Sequence, residues 1–479
     1  MKLGELLIGV EYTAQNADFG IEIGGVYTHS DDVRENGMFI AIKGKNGDGH
    51  EYINAAIEKG AAVIVTDNAI PDRCRIACIR VPATRKAWAQ IEHNRAGSPA
   101  KFIKTVAVTG TNGKSSVTRL LRSIIEASGA ECGEVGTLGG GLTTPDPCDL
   151  YPMLSRMVNE GCEWVVMEAS SHALALDKLA PILFDGAVFT NLTLDHTDFH
   201  GSMTAYAQAK AKLFSRCRSA VANLDDEGIR SIVKNAGCPV YGFGVERDHA
   251  DYTAKNLHCS FEGFGFDFLE YGNIFRIRSP LVGAFQAENA LAAASMARVL
   301  GFGADCIQKG IASVKNIEGR MMPVDIKNAD FRVFIDYAHT PHALRSVLQS
   351  ARRCMNGKGR LIVIFGCGGD RDKSKRAPMG EVASRLADLT IITSDNSRSE
   401  DTYDIIRDIL VGFRPSSPHL TIADRRQAIA YALHSARESD VLVFCGKGHE
   451  NYQTDALGSH FFDEKEEILR AASQRRDLK

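Results

Sequence analysis

The sequence predicts an α/β protein built from doubly wound parallel sheets in successive segments, and three observations carry that reading. A β-branched strand, a glycine turn and an amphipathic helix follow one another over residues 104–129. Beyond them, near-continuous apolar runs at Trp164–Ser170 and Phe184–Asn191 alternate with helical patterns, as expected of strands buried on both faces of a parallel sheet. The same strand–helix alternation restarts after Gly319-Arg320. At 479 residues the chain is long enough for several cores, and the patterns divide it at 1–97, 98–319 and 320–479.

Composition narrows the class. Hydrophobic residues make up 44% and charged residues 24%, ordinary values for a soluble globular protein. Lys plus Arg is 56 against 59 Asp plus Glu, a net charge of −3 that argues against bulk attraction to nucleic acid or membrane surfaces. The first residues lack the apolar core of a signal peptide, and no run approaches the length of a membrane span. The twelve cysteines are scattered without Cys-x-x-Cys pairs, which suits reduced thiols in a cytoplasmic protein.

In the first segment, Gly37–Lys43 reads as a strand, Gly44–His50 as a polar turn, Tyr52–Lys59 as a helix and Ala61–Thr66 as a second strand. Three glycines would let the turn wrap a ligand closely, although a solvated loop explains it equally. The second segment opens on the strand Thr105–Thr109, the turn Gly110-Thr111-Asn112-Gly113 and a helix with Val117, Leu120, Leu121, Ile124 and Ile125 on one face. Such a turn aims backbone N–H groups and a positive helix end at one point, which suits a phosphate. Lys114 would reach the β/γ-phosphates and Ser115 would hold Mg²⁺. The usual spacing wants glycine at position 108, where this chain has Val108. Strand ends beside this loop would deliver Glu168, Ser170, Ser171, His172, Asn191, Asp195 and His196, since open α/β sheets bind ligands beyond their carboxyl ends.

The third segment reads as strands at Phe331–Ile335, Leu361–Phe365, Leu389–Thr393 and Val441–Cys445. Helices fall at Pro341–Arg353, Pro378–Ala387, around Tyr403–Val411 and after Arg425. Its glycine-rich turn Gly366–Arg371 opens no Gly-x-Gly-x-x-Gly fingerprint, so a dinucleotide fold is disfavoured.

In their order, these motifs resemble the Mur ligase family, the ATP-dependent amide-forming enzymes of peptidoglycan precursor synthesis. The resemblance rests on Thr109–Ser116, Thr143–Asp146, Met167–His172, Thr190-Asn191 with Asp195-His196, Gly319-Arg320, Asp336–Pro341, Gly366–Asp372, Asp395–Arg398 and Gly446–Glu450. It spans all three segments. It implies a UDP-sugar-binding domain over 1–97, a central P-loop ATPase domain over 98–319 and a Rossmann-like amino-acid-binding domain over 320–479.

By the same resemblance, Ser30 and the Lys45-Asn46 turn would face the uridine diphosphate, and Thr143, Thr144 and Ser170 the muramoyl-dipeptide. ATP would meet Gly110, Thr111, Asn112, Gly113, Lys114, Ser115, Ser116, Asn289, Arg320 and Asp336. Two Mg²⁺ ions would be held by Ser115, Glu168, His196 and Lys210, the last as a carbamate; Lys114, Glu168, His196 and Lys210 form the implied catalytic set. Arg371, Asp395, Asn396, Arg398, Gly446 and Glu450 would take the incoming amino acid. Because Arg398 is kept, the implied amino acid is meso-diaminopimelate, whose second carboxylate a guanidinium can bind in bidentate fashion. The implied reaction adds it to UDP-muramoyl-L-Ala-D-Glu through an acyl phosphate, in a cytoplasmic monomer that engages small molecules only. The chain departs from the family pattern at His29-Ser-Asp31, at Leu194 and at Ser397. Those departures keep open a ligase joining another acid and amine, and, in another class, a non-ligating nucleotide switch.

Overall fold

The computed structural model describes residues 1–44, 47–69, 75–139, 141–246 and 249–476. Two compact units emerge. The first holds Met1–Ala107, Ala130–Ala187 and Ala209–Arg218, and the second holds Val108–Gly129, Val188–Gln208 and Ser219–Lys479. The strands Lys104–Thr109 and Gly186–Phe189 and the helix Met203–Ala211 therefore contribute residues to both.

In the first unit a five-stranded sheet runs in the order Thr13–Gln15, Ala77–Arg80, Ala61–Thr66, Gly37–Ile40, Gly25–Tyr27, antiparallel only at its Thr13–Gln15 edge. Both faces are buried. Met38, Ile40, Val63 and Val65 join one core, and Phe39, Ala41 and Ile64 another. The expected helix from Tyr52 begins at Ile53 and ends at Glu58, because Gly49–Tyr52 winds as a tighter 3₁₀ turn capped by Asp48. Cys132–Val135 pairs in parallel with Trp164–Glu168, whose five residues are all buried.

In the second unit, the helix Lys114–Glu126 buries the face formed by Val117, Leu120, Leu121, Ile124 and Ile125. The C-terminal sheet has six strands in the order Met322–Pro323, Arg332–Asp336, Val441–Cys445, Leu361–Phe365, Leu389–Ile392, His419–Thr421. It is parallel apart from Met322–Pro323. Alternate residues feed alternate cores, since side chains flip face at each step of a strand. Phe334, Val363, Phe365 and Val443 pack in one core, while Ile335, Ile362, Ile364, Leu442 and Phe444 pack in the other. This is the expected doubly wound unit. Helix Pro341–Cys354 starts with proline in its first turn and the Thr340 hydroxyl accepting from Ala343 N–H.

The sequence reading names no strands between Asn191 and Gly319. There, Ala220–Asn223 and Val240–Gly244 are parallel, and Tyr252–Ser260, Gly263–Glu270 and Asn273–Ser279 add an antiparallel meander. Among the described residues no helix is long and apolar enough to cross a membrane.

Candidate active site

The phosphate-loop turn is set by backbone geometry. Gly110 has φ +150° and Gly113 φ +86°; a Cβ at 110 would lie 1.8 Å from Thr190 Oγ1, and one at 113 would lie 2.4 Å from Asn289 Oδ1. Val108 is still strand and fully buried, so glycine is not needed there. The loop is tied down by its neighbours. Thr111 N–H donates to Asn191 O at 2.9 Å, Asn112 N–H to Asn191 Oδ1 at 2.8 Å, and the Thr190 hydroxyl to Asn112 O at 2.6 Å. The Thr111 hydroxyl meets Tyr206 Oη at 3.0 Å. Lys114 curls over the turn, donating to Gly110 O and Thr111 O at 3.1 Å each. Ser115 and Ser116 are buried in the first helical turn.

Arg320 donates to Ser115 Oγ at 3.1 Å and its guanidinium lies 4.9 Å over the Tyr337 ring. Gln286 links Arg320 to Asn289, donating to Arg320 O and accepting from Asn289 Nδ2. Asp336 accepts Met321 N–H at 2.7 Å and Ala338 N–H at 2.8 Å, pinning the chain on both sides of itself. Its burial pushes the carboxyl up to about 6, against the pull of Arg320 and the two N–H groups. His196 adopts φ +53°, with Nε2 3.5 Å from Asp195 Oδ2. Burial opposes ionisation of Asp195, but His196, His339 and Lys375 together hold its carboxyl below the usual range. Burial, then Lys375, lowers His339 to about 4. Leu194, a departure from the family pattern, is exposed.

In the first unit Glu168 is buried at the end of its strand, 2% exposed. Thr137 holds it twice, with N–H to Oε1 at 2.9 Å and hydroxyl to Oε2 at 3.2 Å. Gly136 makes room, because a Cβ there would fall 2.4 Å from Oε1. Thr143 Oγ1 meets Thr137 Oγ1 at 3.0 Å; Thr144 donates to Glu168 O at 2.7 Å and Ser170 Oγ at 3.2 Å. Glu168, Thr143, Thr144 and Ser170 are thus one bonded cluster. Lys178 extends it, donating to Thr144 O at 3.3 Å and pairing with Asp146 at 2.8 Å. Lys210, 1% exposed, lies on the helix Met203–Ala211. Ser30 begins a 3₁₀ turn and Asp31 pairs with Lys59, so the carboxylate at this departure is matched by a cation from elsewhere in the domain. Lys45 and Asn46 lie outside the described residues.

The carboxyl ends of the C-terminal strands bring the remaining residues together. Asn396 Nδ2 donates to Glu450 Oε2 at 2.9 Å. Arg398, at φ +51°, donates through Nη1 to Gly369 O at 2.7 Å and Asn396 O at 3.3 Å. Gly369 must be glycine for this seam, since a Cβ would lie 1.9 Å from Ser397 O. Arg371 is exposed on the same turn, and a Cβ at Gly368 would touch both it and Arg398. Gly446, at φ +108°, donates to Asp336 O and leaves space that Asp395 Oδ2 fills. Burial opposes ionisation of Asp395, yet Lys447 and Arg425 hold its carboxyl low.

Several residues here escaped the sequence reading. Thr137 and Lys178 belong to no motif, and Tyr206 stands in the stretch that carries Lys210 without a role of its own. Lys447 lay inside the quoted Gly446–Glu450 stretch without a role, although a lysine between two glycines is a signal for a tightly turned, inward-pointing cation. Buried Arg376 grips Glu400 at 3.0 Å through both guanidinium ends, together with Gly368 O and Asp408.

The chain is similar to known proteins along nearly all its length. Residues 22–94 match the Mur ligase family catalytic domain, 108–297 the Mur ligase middle domain, and 319–448 the Mur ligase glutamate ligase domain. The UDP-N-acetylmuramoyl-L-alanyl-D-glutamate–2,6-diaminopimelate ligase of Syntrophomonas wolfei is 40% identical over 470 residues, covering 95% of both chains. The ligase of the same name from Caldanaerobacter subterraneus is 40% identical over 477 residues, 97% of this chain and 98% of that one. A solved structure of such a 2,6-diaminopimelate ligase superposes with a TM-score of 0.70 at 30% identity, covering 99% of each chain. MurF ligase from Thermotoga maritima in complex with ADP shares the fold, with a TM-score of 0.63 at 19% identity over 95% of this chain and 98% of that one. With three domain matches in sequence order and relatives this similar from end to end, the chain belongs to the Mur ligase family.

Proposed function

We propose that the protein is an ATP-dependent ligase that joins meso-diaminopimelate to UDP-N-acetylmuramoyl-L-Ala-D-Glu in peptidoglycan precursor synthesis. The observation that carries this is the 40% identity, over 95% of both chains, to an enzyme named for that coupling. The division at 1–97, 98–319 and 320–479 then separates nucleotide-sugar, ATP and amino-acid binding.

The chemistry follows from the groups present. A carboxylate oxygen of the muramoyl-dipeptide attacks the γ-phosphorus of ATP, the bond to the β–γ bridging oxygen breaks, and ADP leaves. The amino acid's neutral amine then attacks the acyl carbon, phosphate departs with the bonding pair, and the amine's surplus proton goes to solvent. Lys114 and the Gly110–Ser116 N–H groups stabilise the charge on the phosphoryl oxygens in transfer. Asn289, Arg320 and Asp336 hold the nucleotide. Ser30, Lys45, Asn46, Thr143, Thr144 and Ser170 hold the acceptor.

Ser115, Glu168, His196 and a carbamylated Lys210 would hold Mg²⁺. The donors suit it: Glu168 is a carboxylate oxygen ligand whose two oxygens each accept from Thr137 among the described residues, with lone pairs left over. Bound Mg²⁺ would neutralise charge on the phosphoryl oxygens. Carbamylation would turn the buried Lys210 ammonium into a further anionic oxygen donor.

On the amino-acid side, Arg371 and Arg398 supply guanidinium groups for two carboxylates, while Glu450 and Asp395 supply anions for an ammonium. Nη1 of Arg398 is engaged by carbonyls, and a carboxylate would meet its other edge. The test is phosphate release by purified protein with ATP, Mg²⁺ and UDP-muramoyl-L-Ala-D-Glu against a panel of amino acids. Release that needs both co-substrates and prefers meso-diaminopimelate is expected. Equal use of lysine, or release without any amine, overturns the reading.

A further inference from the structure

Lys447 is a fully buried lysine at the centre of the amino-acid pocket, and the chemistry of the coupling step does not call on it. The turn that carries it is forced. Gly446 and Gly448 have φ +108° and +56°, and a Cβ at 448 would lie 2.6 Å from Tyr337 Cβ. That turn sends the Lys447 side chain inward from the end of the strand Val441–Cys445.

Its ammonium donates to Asn396 Oδ1 at 2.6 Å and Tyr452 O at 2.7 Å, and lies 3.5 Å from Glu450 Oε2 and 3.8 Å from Asp395 Oδ1. Thr454 N–H also donates to Asn396 Oδ1, at 2.9 Å. With two donors on that oxygen, the Asn396 amide can take only one orientation, and its Nδ2 faces Glu450. Glu450 Oε2 therefore receives Asn396 and Lys447, while Oε1 is approached by Tyr337 Oη at 3.5 Å. The charges give the consequence. Lys447 against Asp395 and Glu450 leaves one net negative charge, because Arg425 behind them is matched by Glu464 at 2.6 Å. With Arg371 and Arg398 set aside for the substrate's carboxylates, that surplus negative charge around Lys447 suits one ammonium.

We infer that Lys447 is a positioning residue for the amino-acid substrate: it fixes the Asn396 amide and holds Glu450 aimed to receive the substrate's distal ammonium. This rests on the reading of the pocket under Proposed function. Lys447 touches no reacting atom, so the effect belongs in KM for the amino acid and not in turnover.

The experiment compares wild type with Lys447→Met in the phosphate-release assay, with thermal melting in parallel. The variant should raise KM for meso-diaminopimelate by roughly tenfold to a hundredfold, the worth of a charged hydrogen bond. Its kcat and its KM for ATP should stay within about threefold. The groups facing Glu450 are Lys447, Asn396, Tyr337 and Tyr452, with Asp395 beyond Lys447. A loss confined to KM for the amino acid, with kcat and ATP use kept, is what a merely structural role would not give. On a Glu450→Gln background, Lys447→Met should add little, since it acts through that carboxylate. Lys447→Gln, which keeps a donor, makes the same comparison if the methionine variant does not fold. A wild type that couples normally while both variants keep its KM for the amino acid overturns the inference alone. A wild type that couples no amino acid overturns the function and the inference with it.

Discussion

Glu168 shows how a single buried carboxylate is held in place. A strand of buried apolar residues ends on it, and Thr137 grips both oxygens. Lys114→Ala and Glu168→Ala should each lower coupling by at least about a hundredfold, as losses of positioned charge do, with unchanged melting curves. Normal turnover in either variant would remove the central-segment roles. Carbon-13 NMR of protein equilibrated with labelled bicarbonate should show a carbamate on Lys210, absent in Lys210→Ala; a bare amine in active, Mg²⁺-bound enzyme would remove that claim. Another residue speaks to stability. His93 is buried and stacks edge-on Tyr151 with centroids 5.2 Å apart, and neither ring nitrogen has a hydrogen-bond partner among the described residues. Burial, then Lys101, lowers it to about 4 from 6.5. The unfolded chain thus binds the proton first, so stability is full above pH 6.5 and is lost as pH falls towards 4, by at most about 3 kcal/mol. His93→Phe should flatten that acid limb of the melting temperature, and an unchanged limb would show that other groups set it. Residues inside contiguous motifs can be named from the sequence. Partners such as Thr137, 31 positions from Glu168, cannot be, because nothing local marks them.

At the scale of elements, period and punctuation read well where one element decides its own fate. Leu361–Phe365 and Val441–Cys445 lie where their apolar runs placed them, and Gly110 and Gly113 bend the chain where the turn requires. The meander escaped because its evidence is relational. Phe264, Phe266 and Phe268 alternate as one buried face, but the pairing direction depends on turns at Phe261-Glu262 and Tyr271-Gly272 and on a register shift between Lys255 and His258. Helix–helix contact is equally invisible in one dimension. Gly310 on the helix Ala304–Ser313 lets that helix touch the phosphate-loop helix, since a Cβ would fall 2.4 Å from Ile124 Cα. Gly310→Ala should therefore cost about 1–3 kcal/mol in denaturant unfolding, the range for an overpacked contact. Retained stability with faster coupling would contradict the tight-packing reading. Gly113→Ala, which must clash with Asn289 or lose its left-handed turn, should weaken ATP use more than it lowers stability.

Over the whole molecule, the sequence order suggested three consecutive segments, and three domain matches follow the same order. The two compact units cut across that order, because Val108–Gly129 and Val188–Gln208 join Ser219–Lys479 while the chain between them belongs with the first unit. Long-range packing of this kind leaves no local mark in sequence. Nucleotide binding should register on the whole fold: at a hundred times its dissociation constant, ATP adds about 2.7 kcal/mol and raises the melting temperature of wild type but not of Lys114→Ala. An equal rise in both would place the nucleotide elsewhere.

The C-terminal sheet has one more consequence. Every residue assigned to the amino acid, from Arg371 to Glu450, sits within one contiguous stretch of chain on the loops of a single sheet, and none lies on the phosphate loop. A gene encoding such a protein can therefore exchange that stretch, or accumulate changes in a few of its codons, and acquire a new amine while inheriting its energy source intact.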